Sequence, residues 1–326
     1  MKIIYDAMGG DNAPGEIVKG AIKAKKEYNI DILFVGKGEL IKEAILENNE
    51  NIEDYDIVNA TEIIDNDENP AFALIRKKDS SIVVGMNLLA EGKGDAIISA
   101  GSTGALLAGG IFIIKRIDNV ERAPIGALIP TLKGLSLLID SGANMDTNKE
   151  LLSQFATMGY IYMRDVMGVE NPKVGLMNVG SEDGKGNELT KGANELLKEK
   201  SNINYIGNIE SRDIPFGIAD VIVCDGFDGN IFLKTYEGTG LMILESFKRV
   251  IKGLDDKELM QNSMGIVGKV FENFDYRDTG GAPLLGVKKP VIKAHGSSDY
   301  HAIYSATKQA IAFIENDVID KLTKNL

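Results

Sequence analysis

Short apolar runs recur along the chain, and in most of them the apolar residues stand on consecutive positions: "KIIYDA", "DILFVG", "DAIISAG", "GALIPTL", "LSLLIDSG", "KVGLMNVG", "INYIGNI", "DVIVCDG" and "PVIKAHG". A strand with one wet face alternates in polarity; a strand covered on both faces does not. Helical patterns lie between many of these runs. Residues 14–27 place Ile17, Ala21 and Ala24 on one face, and "NELTKGANELLKE" does the same with Leu189, Ala193, Leu196 and Leu197. Strands alternating with helices predict an α/β fold, a sheet with helices on both sides. With 326 residues, 44% hydrophobic and 26% charged, the chain suits one continuous unit of this kind. No internal repeat, low-complexity tract or obvious linker divides it, so a single α/β domain is expected over 1–326.

The stretch "AIISAGSTGALLAGGIFII", Ala96 to Ile114, is uncharged and has the length of a membrane span. Ser99, Gly101, Ser102, Thr103 and Gly104 interrupt it at one place, which predicts a strand, a polar loop and a buried helix instead. The N-terminus meets Asp6 after three apolar residues, too soon for a signal peptide. Cys224 is the lone cysteine. It excludes an internal disulfide and suits a cytosolic, reducing setting, with the thiol as a small buried hydrophobe.

Seven runs end alike, in "DAMGGD", "SAGSTGA", "DSGAN", "NVGSEDGKGN", "GNIESRD", "CDGFDGN" and "AHGSSD". Each joins glycine to Asp, Asn, Ser or Thr. One such ending is a turn; seven on one sheet predict a polar site, because ligands of open α/β folds bind beyond the carboxyl ends of the strands. Glycines there let backbone N–H groups approach an anion. The site expected is one for a phosphate-like group, with Asp6, Gly10, Asp11, Ser99, Ser102, Thr103, Asn144, Asn178, Asp225 and His295 as candidate contacts. Arg122 and Arg212 are weaker candidates.

Other chemistries fit poorly. A P-loop needs four residues between its glycines and Ser or Thr after the lysine; only Ser181, Glu182 and Asp183 separate Gly180 from Gly184, and Gly186 follows Lys185. "LFVGKGEL" lacks the third glycine of a dinucleotide loop, since Ile41 occupies its place. Asp6, Asp11, Asp225 and Asp228 form no recognisable metal-ligand set, so neither a metal nor a cofactor is expected. A net charge of −12 argues against wholesale nucleic-acid binding.

The blocks "DAMGGD" at 6–11, "SAGSTGA" at 99–105, "DSGAN" at 140–144, "KGNE" at 185–188, "DGFDGN" at 225–230 and "GGAPLLGV" at 280–287 resemble, in order, those of the phosphate acyltransferase (PlsX) family. The resemblance covers essentially the whole chain. Ser102 departs from it, standing where the family usually has asparagine. It implies a three-layer α/β/α sandwich similar to isocitrate and isopropylmalate dehydrogenases, in a homodimer. It also implies formation of acyl phosphate from inorganic phosphate and acyl-acyl carrier protein (acyl-ACP), early in phospholipid synthesis, beside a membrane-bound glycerol-3-phosphate acyltransferase. Lys185 and Asn230 match the family's essential lysine and asparagine. On chemistry alone, Lys185 suits a phosphate clamp and Asn230 an oxyanion donor, or else a solvated lysine and a helix cap. A phosphotransacetylase using a CoA thioester, a decarboxylating dehydrogenase and a non-catalytic acyl-ACP binder are the alternatives.

The strand–helix rhythm stops over 239–276. "TGLMILESFKRVIK" puts Leu244, Phe247 and Ile251 on one helical face, and a second stripe runs through Met260, Met264, Val267, Phe271 and Phe274, widened by Leu259, Ile266 and Val270. A helical hairpin inserted in the sandwich is predicted, with Asp255 and Glu258 as a capping box. Leu259, Met260, Met264, Val267 and Phe271 are its candidate dimer or peripheral membrane contacts. Two basic clusters, Lys248 with Arg249 and Lys252, and Lys288 with Lys289 and Lys293, are candidates for docking an acidic carrier.

Overall fold

A computed structural model describes residues 1–272 and 280–326. All nine apolar runs form strands: β1 (Lys2–Asp6), β2 (Asp31–Gly36), β4 (Ala96–Ser99), β5 (Gly126–Thr131), β6 (Gly134–Ile139), β7 (Lys173–Asn178), β8 (Asn204–Glu210), β9 (Val221–Val223) and β11 (Val291–Ala294). Two short strands, β3 (Asp56–Asn59) and β10 (Gly281–Pro283), complete the set.

They form two sheets rather than one. The first runs β10-β11-β4-β1-β2-β3 and the second β5-β6-β9-β7-β8. Each is parallel except for one antiparallel edge strand, β10 in the first and β5 in the second. Those edges meet: Ile125 and Leu284 form an antiparallel bridge, and Leu285 N–H donates to Pro124 O at 2.9 Å. The seven polar endings are therefore divided, three on the first sheet and four on the second. Local pattern reports that a strand is buried on both faces, not which strand lies beside it.

Both sheets are covered on both faces, which is why their strands read as continuous apolar runs. In β1, Ile3 and Tyr5 pack with α1 (Gly15–Tyr28) and α10 (Tyr300–Glu315), while Ile4 faces α4 (Ser81–Ala90) and α5 (Thr103–Gly109). In β6, Leu137 and Ile139 pack with α6 (Lys149–Asp165), α7 (Glu188–Glu199) and α11 (Val318–Asn325). Leu138 turns the other way, toward Phe232, Leu233 and Tyr236 of α8 (Gly226–Lys252). The expected three-layer arrangement is thus present twice. The uncharged stretch 96–114 is β4, α5 and a wide helical turn over Gly110–Ile114. No helix among the described residues is long and apolar enough to cross a membrane.

The hairpin consists of α8 and α9 (Lys257–Glu272). Its first helix begins at Gly226, well before residue 239, and Phe232, Leu233 and Tyr236 pack that early part on the second sheet. Asp256, not Asp255, caps α9, accepting from the N–H groups of Glu258 at 2.9 Å and Leu259 at 3.1 Å. Both helices are apolar on two sides. Leu244, Ile251, Met260, Met264, Val267 and Phe271 are buried or half-buried, whereas Leu241, Met242, Phe247, Val250, Leu259, Ile266 and Val270 are exposed. Phe274 lies outside the described residues.

Candidate active site

Two carboxylates organise the strand ends, one in each sheet. Asp6, the last residue of β1, is fully buried. Its Oδ2 accepts from Ser99 Oγ at 2.6 Å and its Oδ1 from Met8 N–H at 3.2 Å. Ser99 Oγ in turn accepts from Gly101 N–H at 3.0 Å, so one hydroxyl ties the end of β1 to the loop after β4. Burial pushes the Asp6 carboxyl up, and the hydrogen bonds from Ser81 and Ser99 oppose that. Gly10 brings a third loop in. At φ +96° it adopts a conformation that favours glycine, and a Cβ there would stand 2.8 Å from Gly296 O. Asp11 N–H donates to that same carbonyl at 2.8 Å, and Asn12 Nδ2 donates to Ser297 O and Ser298 O, both at 3.2 Å.

Asp140 does the corresponding work after β6, and is equally buried. Its Oδ1 accepts from the N–H groups of Ile125, Gly142 and Ala143 at 3.0–3.2 Å. Its Oδ2 accepts from Asn144 N–H at 2.7 Å and Asn144 Nδ2 at 2.8 Å. Burial raises this carboxyl too, against the pull of the donors. Asn144 Nδ2 also donates to Ala123 O at 3.1 Å, so its two amide hydrogens are spent on the scaffold. Cys224, at the end of β9, is buried as expected; its thiol, pushed well up by burial, donates to Asp140 O at 3.4 Å.

Asn230 sits in the first turns of α8. Asp225 caps that helix, accepting from Asp228 N–H at 2.8 Å, and Gly226 N–H donates to Asn144 O at 2.8 Å. Asn230 Nδ2 donates to Ser141 O at 3.3 Å. A Cβ on Gly142, where φ is +135°, would stand 2.6 Å from that Nδ2, so the turn must be glycine for the amide to lie where it does. One amide hydrogen of Asn230 is left to offer a substrate.

Lys185 is exposed, with its stem lying over Gly180. Its loop is pinned from outside. Asp183 pairs with Lys198 of α7 at 2.5 Å, Asn208 Nδ2 donates to Glu182 O at 3.0 Å, and Asn178 Nδ2 donates to Lys185 O at 3.3 Å. An exposed side chain thus rides on a backbone tied at both flanks. Because β7, β9 and β6 are parallel neighbours, the loops bearing Lys185, Asn230 and Asp140 share one end of the second sheet. Ser102 caps α5 through Ala105 N–H at 3.4 Å, and Thr103 is exposed beside it. His295 Nδ1 lies 2.9 Å from Ser297 Oγ; desolvation and the nearby Lys234 lower its basicity.

Lys293 leaves the surface cluster in which the sequence places it. It is half-buried on β11, where its Nζ donates to Ala100 O at 3.4 Å and to Ala294 O. Lys288 pairs with Asp118 at 3.0 Å and Lys248 with Glu245 at 2.8 Å, which thins both basic patches further. Arg212 is paired with Glu210 at 3.1 Å, and Arg122 donates to Asp146 O at 3.1 Å. The sequence reading gave Asp140 no role of its own and placed Lys293 in a surface cluster. The signal for Lys293 was a charge directly after Val291 and Ile292 in a run otherwise buried. Among the described residues, no three His, Cys or acidic side chains gather as a metal-ligand set.

The family model described as "Fatty acid synthesis protein" matches residues 1–321. A phosphate acyltransferase of Thermoanaerobacter pseudethanolicus is 44% identical over 328 residues, covering 100% of this chain and 97% of that protein. One of Clostridioides difficile is 45% identical over 329 residues, covering 99% and 96%. Among solved structures, a phosphotransacetylase from Streptococcus pyogenes superposes with a TM-score of 0.67 at 18% identity, covering 97% of this chain and 94% of that one. A branched-chain phosphotransacylase from Enterococcus faecalis gives 0.59 at 14% identity, covering 96% and 99%. At such identities the structures speak for the fold alone, whereas the full-length relatives settle the family. The chain belongs to the phosphate acyltransferase (PlsX) family and is an acyltransferase of lipid synthesis.

Proposed function

We propose that the enzyme forms acyl phosphate from inorganic phosphate and an acyl-ACP thioester, releasing ACP, as a homodimer in peripheral contact with a membrane. A thioester is already activated and a substantial fraction of phosphate is dianionic at neutral pH, so the protein needs no strong base. It must hold a dianion against an acyl carbon and stabilise the oxyanion that forms. In this reading an oxygen of phosphate attacks the thioester carbonyl. The tetrahedral intermediate expels the thiolate, and the thiolate takes the proton that hydrogen phosphate gives up, becoming ACP thiol. Lys185 supplies mobile positive charge to the phosphate, and Asn230 gives its remaining amide hydrogen to the oxyanion.

The observation that carries the reading is the pairing of a polar site with bare apolar side chains. Val179, 80% exposed, follows Asn178; Phe227 and Ile231, 57% and 52% exposed, flank Asn230. Exposed apolar side chains beside Lys185 and the remaining amide hydrogen of Asn230 suit an acyl group joined to a phosphate. The exposed hairpin supports the membrane contact in the same way, since its bare apolar residues lie among Arg249, Lys252 and Lys257.

The test is incubation of the enzyme with acyl-ACP, with and without inorganic phosphate, followed by mass spectrometry. Acyl phosphate and free ACP are expected only with phosphate present. Turnover of acyl-CoA in place of acyl-ACP would move the reading to a phosphotransacetylase, and binding without release of ACP to a carrier.

A further inference from the structure

We propose that Asn208 is a positioning residue for Lys185, and that a bulge in β8 aims it. The inference rests on the role proposed for Lys185 and names what sets that lysine's place.

The register of β8 slips once. Where it pairs with β7, Val174 stands beside Tyr205 and Leu176 beside Asn208, so Ile206 and Gly207 together oppose Gly175. Side chains alternate along a strand, and residues three apart in a regular one face opposite sides. The extra residue cancels that alternation. Val174, Leu176 and Tyr205 all pack in the cluster formed with α6 and α7, whereas Met177 and Ile209, one step further on, pack on the other face. Asn208 is therefore turned to the side of α7, the helix into which the Lys185 loop leads. Gly207 takes φ +96°, and a Cβ on it would meet nothing within 4 Å. The backbone conformation, not crowding, calls for glycine there.

Asn208 reaches the turn that presents Lys185. Its Nδ2 donates to Glu182 O at 3.0 Å, and the same carbonyl accepts from Lys185 N–H at 3.1 Å. One oxygen thus joins a buried side chain of the sheet to the backbone of the lysine. A second tie runs from the other flank of the bulge. Tyr205 OH donates to Asn194 Oδ1 at 2.7 Å, and Asn194 Nδ2 donates to Asp183 Oδ1 at 3.4 Å. Stability alone is a poor account of Asn208. Its Oδ1 is buried with no hydrogen-bond partner among the described residues, a cost that an apolar side chain of similar size would avoid. Glu182 O would keep Lys185 N–H after such a change. The polar side chain makes sense if the turn must be held, because a group misplaced by about 1 Å at a reacting centre can lose about a hundredfold in rate.

The experiment is steady-state kinetics of the full chain with acyl-ACP and inorganic phosphate, read beside urea unfolding. Asn208→Leu is expected to lower kcat/KM for phosphate about tenfold to a hundredfold, with KM for acyl-ACP within about twofold and an unfolding midpoint no lower than wild type. Added to Lys185→Ala, it should lower activity no further, since the group it aims is gone. A merely structural asparagine gives the reverse, a lower midpoint and losses that multiply in the double variant. Asn208→Ser, smaller and too short to reach Glu182, gives the same reading where leucine does not fit. A kcat/KM for phosphate within about twofold of wild type in either variant, or losses that multiply, overturns the proposal. Amide hydrogen exchange over residues 180–187 tests the tie without turnover. It should quicken about tenfold in Asn208→Leu, the scale of one hydrogen bond, and an unchanged rate overturns the positioning. Full activity in Lys185→Ala would sink the role given to Lys185 and this inference with it. If the wild type makes no acyl phosphate, the proposed reaction has failed instead, and exchange alone decides the tie.

Discussion

At the strand ends, Asp6 and Asp140 are wholly buried and each carboxylate is met by several donors; in the hairpin, Val250 and Ile266 stand 70% and 64% exposed. The first region buries what is polar and satisfies it, and the second displays what is apolar. A buried carboxylate holding five donors is costly to disturb and fixes geometry, because each lost partner leaves an unpaired group in a dry place. An exposed apolar face costs little to alter and does nothing for a lone chain. Its retention makes sense through something that covers it. On the proposed function, geometry for chemistry lies in the first region and association in the second, and substitutions can separate them.

The sharpest separation comes from Lys185→Ala. Activity should fall by about 10²–10³, the loss typical of one well-placed electrostatic contact, with an unchanged unfolding midpoint because the side chain is solvent-facing. Turnover near wild type at saturating phosphate would end the role given to Lys185. Next in size is the hairpin pair Leu259→Glu with Ile266→Glu. Removing two exposed apolar groups, each worth roughly 1.5–3 kcal/mol when buried, should lower sedimentation with anionic liposomes at least tenfold while soluble activity persists. Unchanged sedimentation would remove the membrane proposal, and conversion to monomers in ultracentrifugation would assign the face to a second copy. The smallest effect compares one substitution in both regions. Ile98→Val in β4 should cost about 0.5–1.5 kcal/mol in urea unfolding, and Ile266→Val almost nothing. Equal costs would mean the hairpin is packed where it looks bare.

Much of this was legible because burial on both faces leaves consecutive apolar residues, and nine strands declared themselves that way. β3 and β10 did not. "DIVN" is a short, partly exposed edge, and "GAP" holds a proline on an antiparallel edge, where pattern is weakest. Division into two sheets was also invisible, since it depends on strands that pair across long stretches of chain, β11 with β4 and β6 with β9. At the candidate site, the motifs fall on the strand-end loops but do not give the duties within them. Asn144 and Ser99 read as ligand contacts, yet their hydrogens serve Asp140 and Asp6. A polar residue at a strand end looks the same in sequence whether it faces a ligand or braces the loop that does. Lys293 shows the converse: grouped by sequence with Lys288 and Lys289, it points inward because side chains alternate along a strand.

Helix α8 is unbroken for 27 residues from Gly226 to Lys252. At 1.5 Å per residue it is a strut about 40 Å long, with Asn230 in its root and the hairpin turn at its far end. Such a strut turns position into leverage. A small tilt imposed at the turn becomes a fraction of an ångström at the root, which is the scale on which an oxyanion donor is well or badly aimed. On the proposed function, whatever covers the far end is joined to Asn230 by the length of one unbroken helix.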